Sequence, residues 1–345
     1  LAASSFHHRM IFNSAKQRLL SELTSNAVST YTTQNLANTA WAFSIATHIL
    51  GRTEDDTEFL AKLHSAMIAK GSALDAKAND MSEKRKSTTE VCSDRPRVVK
   101  QCGGVLAVYK PTGWEVDGAG DATAPRLSSF VQSLGGSAIS FDAACDHGFI
   151  HRLDTPSSGL VLHAENYQAL NSLRWQQDTF NITREYLVLV HNEMKAPMIL
   201  NARLIERRGG SAVDEQGHPA RTHVYPLAKL RHPRRRSEIY TLVRVSILTG
   251  RKHQIRVHLT AAGFAVVTDA RYGRQYLKAD LEWCGRNFLH RYRLTFRDLD
   301  HNCCDVLAPL AQDLKEALMT LRPIDKKGFN ALSEWMDSPR ASDDS

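Results

Sequence analysis

The chain has no apolar run near the ~20 residues needed to cross a bilayer as a helix. Its six cysteines are Cys92, Cys102, Cys145, Cys284, Cys303 and Cys304. None belongs to a Cys-x-x-Cys pair and two are adjacent, which suits neither a zinc site nor a disulfide framework. Free thiols in a reducing compartment are the expectation. Acidic residues are short relative to basic ones: Asp plus Glu is 37 and Lys plus Arg is 44, a formal charge of +7. That imbalance suits a polyanionic partner without requiring one. The chain starts at Leu1 rather than Met, which reads as a fragment or trimmed chain that says nothing about targeting segments.

What is present is enough for a folded core. A hydrophobic fraction of 42% over 345 residues supports two units rather than one. Residues 1–74 read as helical, with Leu36, Ala40, Phe43, Thr47 and Leu50 at helical spacing. The segment from Thr33 to Phe43 resembles one unit of the helical repeats of organellar RNA-binding proteins. An ordinary helical hairpin fits it as well. Residues 75–102 lose hydrophobic periodicity and gather Lys and Arg among Ser, Thr and Asp, so they read as a flexible basic linker. Residues 103–325 form the second domain and 326–345 a C-terminal tail.

Within that domain, strands are expected at Val105–Tyr109, Leu160–His163, Glu185–Val190, Leu200–Leu204, Thr222–Leu227, Ile239–Ile247 and Asn287–Phe296. Helices are expected at Pro125–Leu134, around Tyr167–Leu173, at His253–Ala262 and at Leu310–Leu321. Many strands joined by short turns imply an α+β fold. It would be a mixed, largely antiparallel sheet with flanking helices, preceded by a small helical segment.

Two stretches carry the chemistry. In His151-Arg152-Leu153-Asp154-Thr155-Pro156-Ser157-Ser158-Gly159-Leu160, turn formers follow a carboxylate and precede a strand. Asp154 should sit on a tight loop, rigid and accessible. Taken alone, an Asx-turn accounts for it equally. In Gly250-Arg251-Lys252-His253-Gln254-Ile255-Arg256-Val257-His258, five basic side chains crowd one turn-to-helix segment. A helix would put Lys252 and Arg256 on one face and His253 and Val257 on the next. A third stretch, Lys229-Leu230-Arg231-His232-Pro233-Arg234-Arg235-Arg236, reads as a basic loop between strands. It is either a grip on RNA phosphates or a solvated hairpin tip.

His151-Arg152-Leu153-Asp154, then Gly250-Arg251 and His253-Gln254-Ile255-Arg256-Val257-His258 a hundred residues later, resemble the RluA-type RNA pseudouridine synthases. Leu106–Gly113 resembles their opening strand ending in Lys-Pro-x-Gly, and Arg184-Glu185-Tyr186 their Lys-x-Tyr strand start. Val266–Gly273 resembles their Asp-x-x-Tyr-Gly segment, and Leu289-His290 their late Leu-His-Ala strand. The motifs fall in the family's order from Val105 to Phe296.

The resemblance implies a pseudouridine synthase sheet that isomerises uridines in ribosomal or transfer RNA, with no cofactor and no metal. It implies that Asp154 is the catalytic aspartate, adding to the sugar or the base. Arg256 would pair with it, and Tyr186 would stack on the uracil and assist proton transfer. It also implies that Arg152 enters the RNA stack where the base leaves, and that Arg251 and His253 contact phosphate. Arg234 and Arg235 are the further RNA-binding candidates, from the basic loop. Four positions depart from the pattern. Ser157 stands for Thr, Arg184 for Lys, Thr268 for Gly and Arg291 for Ala.

Two rival readings differ in class. One is a non-catalytic RNA-binding or assembly protein using the same domain as a docking platform. The other is a metal-dependent hydrolase using His147, His151 and Asp154. The chain is expected to act as a monomer on RNA, away from membranes. Its compartment is expected to be reducing, with mitochondrion, plastid and cytoplasm all compatible.

Overall fold

The computed structural model describes residues 95–117 and 124–337, with a few isolated positions between 13 and 65. The helical-repeat expectation for residues 1–74, the linker from 75 to 94 and the tail beyond 337 lie outside the described residues.

One 10-stranded mixed sheet organises the chain. Its strands are β1 (Arg97–Cys102), β2 (Val105–Lys110), β3 (Ser158–Ala164), β4 (Thr183–His191), β5 (Met198–Leu200), β8 (Thr222–His232), β9 (Arg235–Ile247), β10 (Leu289–Arg297), β11 (Cys303–Leu307) and β12 (Arg322–Pro323). The order is β1-β2-β3-β10-β4-β9-β8-β12, with β11 on β10 and β5 on β8. A separate two-stranded ribbon pairs β6 (Leu204–Arg207) with β7 (Gly210–Val213). Among the described residues six α-helices flank the sheet: α1 (Leu127–Ser133), α2 (Tyr167–Asp178), α3 (Gln254–Ala261), α4 (Arg274–Asp280), α5 (Gln312–Met319) and α6 (Lys326–Asp337).

β4 shows why the centre of the sheet was legible. Tyr186, Val188 and Val190 bury into one core cluster, and Leu187 and Leu189 into another on the opposite face. A strand covered on both faces loses the polar alternation and reads as a continuous apolar run. On the first face Val243 and Val245 of β9, Leu259 of α3 and Leu127 of α1 complete the packing. On the other, Leu242 and Tyr240 of β9 meet Leu314 and Leu318 of α5. A third cluster packs Leu170 and Leu173 of α2 on Leu160 and Leu162 of β3.

Adjacent β3 and β10 run parallel, with Ser158 opposite His290 and Gly159 opposite Arg291. Here the backbones approach closely. A Cβ on Gly159, at φ +123°, would lie 2.2 Å from the Arg291 carbonyl oxygen and 2.6 Å from its nitrogen. Only glycine fits.

The structure corrects several expectations. Arg97–Cys102 is not linker but the edge strand β1, paired antiparallel to β2. Leu200–Leu204 is not one strand: β5 ends at Leu200 and β6 begins at Leu204. Residues 326–337 are not loose tail but helix α6, whose Ala331, Leu332 and Trp335 pack on the core beneath β8. The basic segment is not a loop either. Lys229–His232 belongs to β8 and Arg235 opens β9, so the hairpin tip is Pro233-Arg234.

Candidate active site

Asp154 lies on a loop clamped from β2. Its carbonyl accepts the Ser157 N–H at 2.9 Å, and the next carbonyl, Thr155, accepts the Gly113 N–H at 2.8 Å. Lys110, wholly buried, donates to the carbonyls of Trp114 (2.7 Å), Pro111 (3.0 Å) and Thr155 (3.3 Å). Burial and the nearby Arg286 charge push the Lys110 ammonium down to about 7, while the Asp154 charge pulls the other way. The Lys-Pro-x-Gly segment thus holds the loop that carries the carboxylate.

Across the cleft, α3 delivers Arg256. Its Nη1 donates to Asp154 Oδ2 at 2.7 Å. Its Nε and Nη2 donate to Asp269 Oδ2 and Oδ1 at 2.7 and 2.8 Å. Asp269 is wholly buried, whereas the Asp154 side chain is 22% exposed. Asp269 Oδ1 also accepts the backbone N–H groups of Arg271 and Tyr272. Burial pushes the Asp269 carboxyl upward, yet the Arg256 bonds and charge outweigh it and hold the group below its ordinary value. For Arg256 the two carboxylates outweigh burial and raise it further. Fork-shaped, charge-assisted bonding of this kind fixes orientation as well as charge. One face of Arg256 is anchored in the core and the other presents Asp154 to the cleft.

His253 caps α3 from a left-handed conformation at φ +55° rather than lying within the helix. The expected sharing of helix faces by Lys252 with Arg256 and by His253 with Val257 therefore fails, since α3 begins at Gln254. His253 Nδ1 bonds the Tyr272 hydroxyl at 2.8 Å, and its Nε2 stands 3.8 Å from Asp154 Oδ1. Burial, then the neighbouring cations, hold it below its ordinary value against the pull of Asp154. Lys252 pairs with Glu206 on the ribbon. Arg251 Nε donates to the Pro219 carbonyl at 3.2 Å.

Tyr186 projects from β4 into the same cleft, its oxygen held by Arg291 Nε at 2.9 Å and Nη2 at 2.5 Å. The cleft encloses about 580 Å³ and is lined by Asp154, Tyr186, Arg256, Arg152, Arg251 and His253 among others. All six cleft residues singled out in the sequence therefore converge. Arg152 is exposed at its rim.

Arg234 and Arg235 do not join them. β8 runs from Thr222, which bonds Gln254 at the start of α3, over eleven residues to the tip. At roughly 3.3 Å per residue the tip stands on the order of 30 Å away along the strand. Arg235 is engaged by Glu282 at 2.8 Å and Glu238 at 3.5 Å, while Arg234 is exposed. The metal-hydrolase triad does not assemble as proposed. His147 bonds the Ser140 carbonyl and Asp117. His151 Nε2 accepts the Leu162 N–H, and Asp154 faces Arg256.

Three residues carry roles that their sequence neighbours do not signal. Lys110 and Asp269 stand in the family-like motifs but act through distant partners. Arg291 stands where the resemblance has Ala.

The cleft and sheet define a class with known members. The RNA pseudouridylate synthase family model matches residues 104–261. Among similar proteins, ribosomal large subunit pseudouridine synthase C of Haemophilus ducreyi is 35% identical over 186 residues, covering 50% of this chain and 55% of that protein. The protein of the same name from Escherichia coli K12 is 30% identical over 230 residues, covering 63% and 67%. The chain belongs to the RNA pseudouridylate synthase family. It spans little more than half the length of several of the curated relatives it matches. Of solved structures, human RNA pseudouridylate synthase domain containing 1 aligns with TM-score 0.53 at 22% identity, covering 68% of this chain and 91% of that one. Human RNA pseudouridylate synthase domain containing 4 aligns with TM-score 0.50 at 16% identity, covering 74% and 98%. Both share the fold.

Proposed function

We propose that this chain isomerises uridines in RNA to pseudouridine, with Asp154 as the nucleophile. The observation that carries this is the Asp154–Arg256 bond at 2.7 Å inside a cleft that also holds Tyr186. Arg256 holds Asp154 aimed into the cleft, and a carboxylate can add to an electron-poor carbon and leave again. A cleft of about 580 Å³ accommodates a single flipped nucleotide, and the uracil must leave the stack to be cut from its ribose and rejoined through C5. Tyr186 stacks on the base and takes part in the proton transfer that completes the isomerisation.

Arg152, exposed at the rim, fills the gap left by the flipped base. Arg251 and His253 meet the flanking phosphates. Arg234 is a peripheral phosphate contact. Arg235, engaged by two glutamates, contributes less. Ribosomal RNA is the first substrate class to test, because two similar bacterial proteins are named for the large ribosomal subunit. Transfer RNA is the second.

The test is chemical mapping of pseudouridine in total RNA from cells supplied with this chain or with its Asp154→Asn form. New sites confined to the unmutated chain support the proposal and name the substrate. Identical maps, with both proteins folded and RNA-bound, reject it.

A further inference from the structure

Arg291 is a cation buried to 2% exposure in the middle of the sheet. Among the described residues no carboxylate lies within salt-bridge distance of it. Arg184 and Lys110, both cations, feel its charge. A buried, unpaired guanidinium is costly unless its hydrogen bonds are well used. Nη1 donates to the Leu160 carbonyl at 3.0 Å and Nη2 to the Arg152 carbonyl at 3.4 Å. Nε and Nη2 converge on the Tyr186 oxygen at 2.9 and 2.5 Å. The guanidinium carbon lies 4.9 Å from the Tyr186 ring centroid.

A phenol oxygen accepts two hydrogen bonds and donates one. Arg291 fills both acceptor positions. The O–H of Tyr186 is then the one hydrogen-bonding capacity left, on a side chain that lines the cleft.

We propose that Arg291 is a positioning residue for the proton-transfer step, fixing the Tyr186 oxygen and offsetting the negative charge it carries while its proton is away. This rests on the proposed isomerisation. Pseudouridine formation moves one hydrogen from C5 to N1. Tyr186 releases its proton to solvent and its oxygen takes the proton from C5. The C5–H electron pair becomes the C5–C6 double bond, and the C6–N1 π pair returns to N1. N1 then takes a proton from solvent, so no net proton is gained or lost. An oxygen that passes through an anionic state does so more easily beside a guanidinium.

The test uses the 345-residue chain and transcripts of large-subunit ribosomal RNA carrying uridine tritiated at C5, with tritium release as the readout. Arg291→Met keeps most of the stem and removes the charge, Arg291→Lys keeps the charge, and Tyr186→Phe removes the oxygen. Arg291→Met should lower kcat by about 100-fold, the scale of positioned acid–base catalysis, with KM within about twofold. Arg291→Lys should recover roughly a tenfold part of that loss. In the Tyr186→Phe background neither change should slow release further. A folded Arg291→Met protein with unchanged kcat overturns the inference. Should Arg291→Met fail to fold, Arg291→Lys decides: slowing both backgrounds equally also overturns it. A parent chain that releases no tritium and forms no pseudouridine overturns the proposed activity, and the inference with it.

Discussion

Replacing Asp269 by Asn preserves the side chain's size and removes its charge. Asp269 Oδ1 accepts Arg256 Nη2 and two backbone N–H groups, while Oδ2 accepts Arg256 Nε. The amide oxygen of Asn will stay with the backbone donors. Its NH₂ then occupies the Oδ2 position and faces the Arg256 Nε–H, donor against donor, in a wholly buried place. One unsatisfied buried donor costs about 1–3 kcal/mol. Losing the charge of a buried pair brings the total to about 3–5 kcal/mol. Asp154→Asn is the control. Its side chain is partly exposed and receives a single Arg256 bond, so its cost is about 1 kcal/mol or less. Urea unfolding, with equal slopes in all three proteins, gives both differences. An Asp269→Asn protein within about 0.5 kcal/mol of the parent, or an Asp154→Asn protein destabilised as much as Asp269→Asn, would refute the assignment of Asp269 as the anchor.

Gly159→Ala should cost more than about 1 kcal/mol, because its Cβ would overlap the Arg291 backbone; an unchanged melting temperature would contradict this. Acid should destabilise the fold through its buried histidines, opposed in part by Asp178, whose carboxyl burial pushes up to about 7. Burial holds His290 down to about 3 and His163 to about 4, while an unfolded histidine titrates near ~6.5. Between those values the unfolded chain binds protons that the folded chain does not, so stability falls as pH drops from about 7 to 4. Below ~3.8 the depressed Asp269 adds a further loss, because its stabilisation is present only while it is ionised. A urea midpoint that stays flat over this range would count against the burial described. At the hairpin tip, Arg234→Ala should lower the salt slope of RNA affinity by about 0.7–0.9 and Arg235→Ala should change it less; equal effects would show that the Glu282 pair does not hold Arg235 in solution.

Residues that act through local motifs were legible. Asp154, Tyr186 and Arg256 each sit in a short segment whose turn, strand or helix could be read from neighbouring residues, and the structure brings all three together. What escaped depends on partners far along the chain. Arg291 meets Tyr186 across 105 positions, and nothing around Leu289-His290-Arg291-Tyr292 announces that partner. Asp269 looks like any turn aspartate until Arg256 arrives from α3.

The edge strand β1 reads as linker in the sequence because most of its residues are exposed and only Cys102 is buried. One partly covered edge leaves too little apolar alternation to see. In the basic hairpin the charges masked a real alternation, with Leu230 and His232 buried and Arg231 exposed between them. Helix α6 is hidden in the sequence for a similar reason. Its few core contacts, Ala331, Leu332 and Trp335, are scattered among Lys, Gly, Asn and Ser.

The most direct measurement is the rate of pseudouridine formation by the purified chain and by its Asp154→Asn form on the same ribosomal RNA transcripts, with RNA retention measured in parallel. The expected result is a loss of at least about 1,000-fold in rate with RNA retention unchanged. A rate within about tenfold of the parent would show that Asp154 is not the nucleophile.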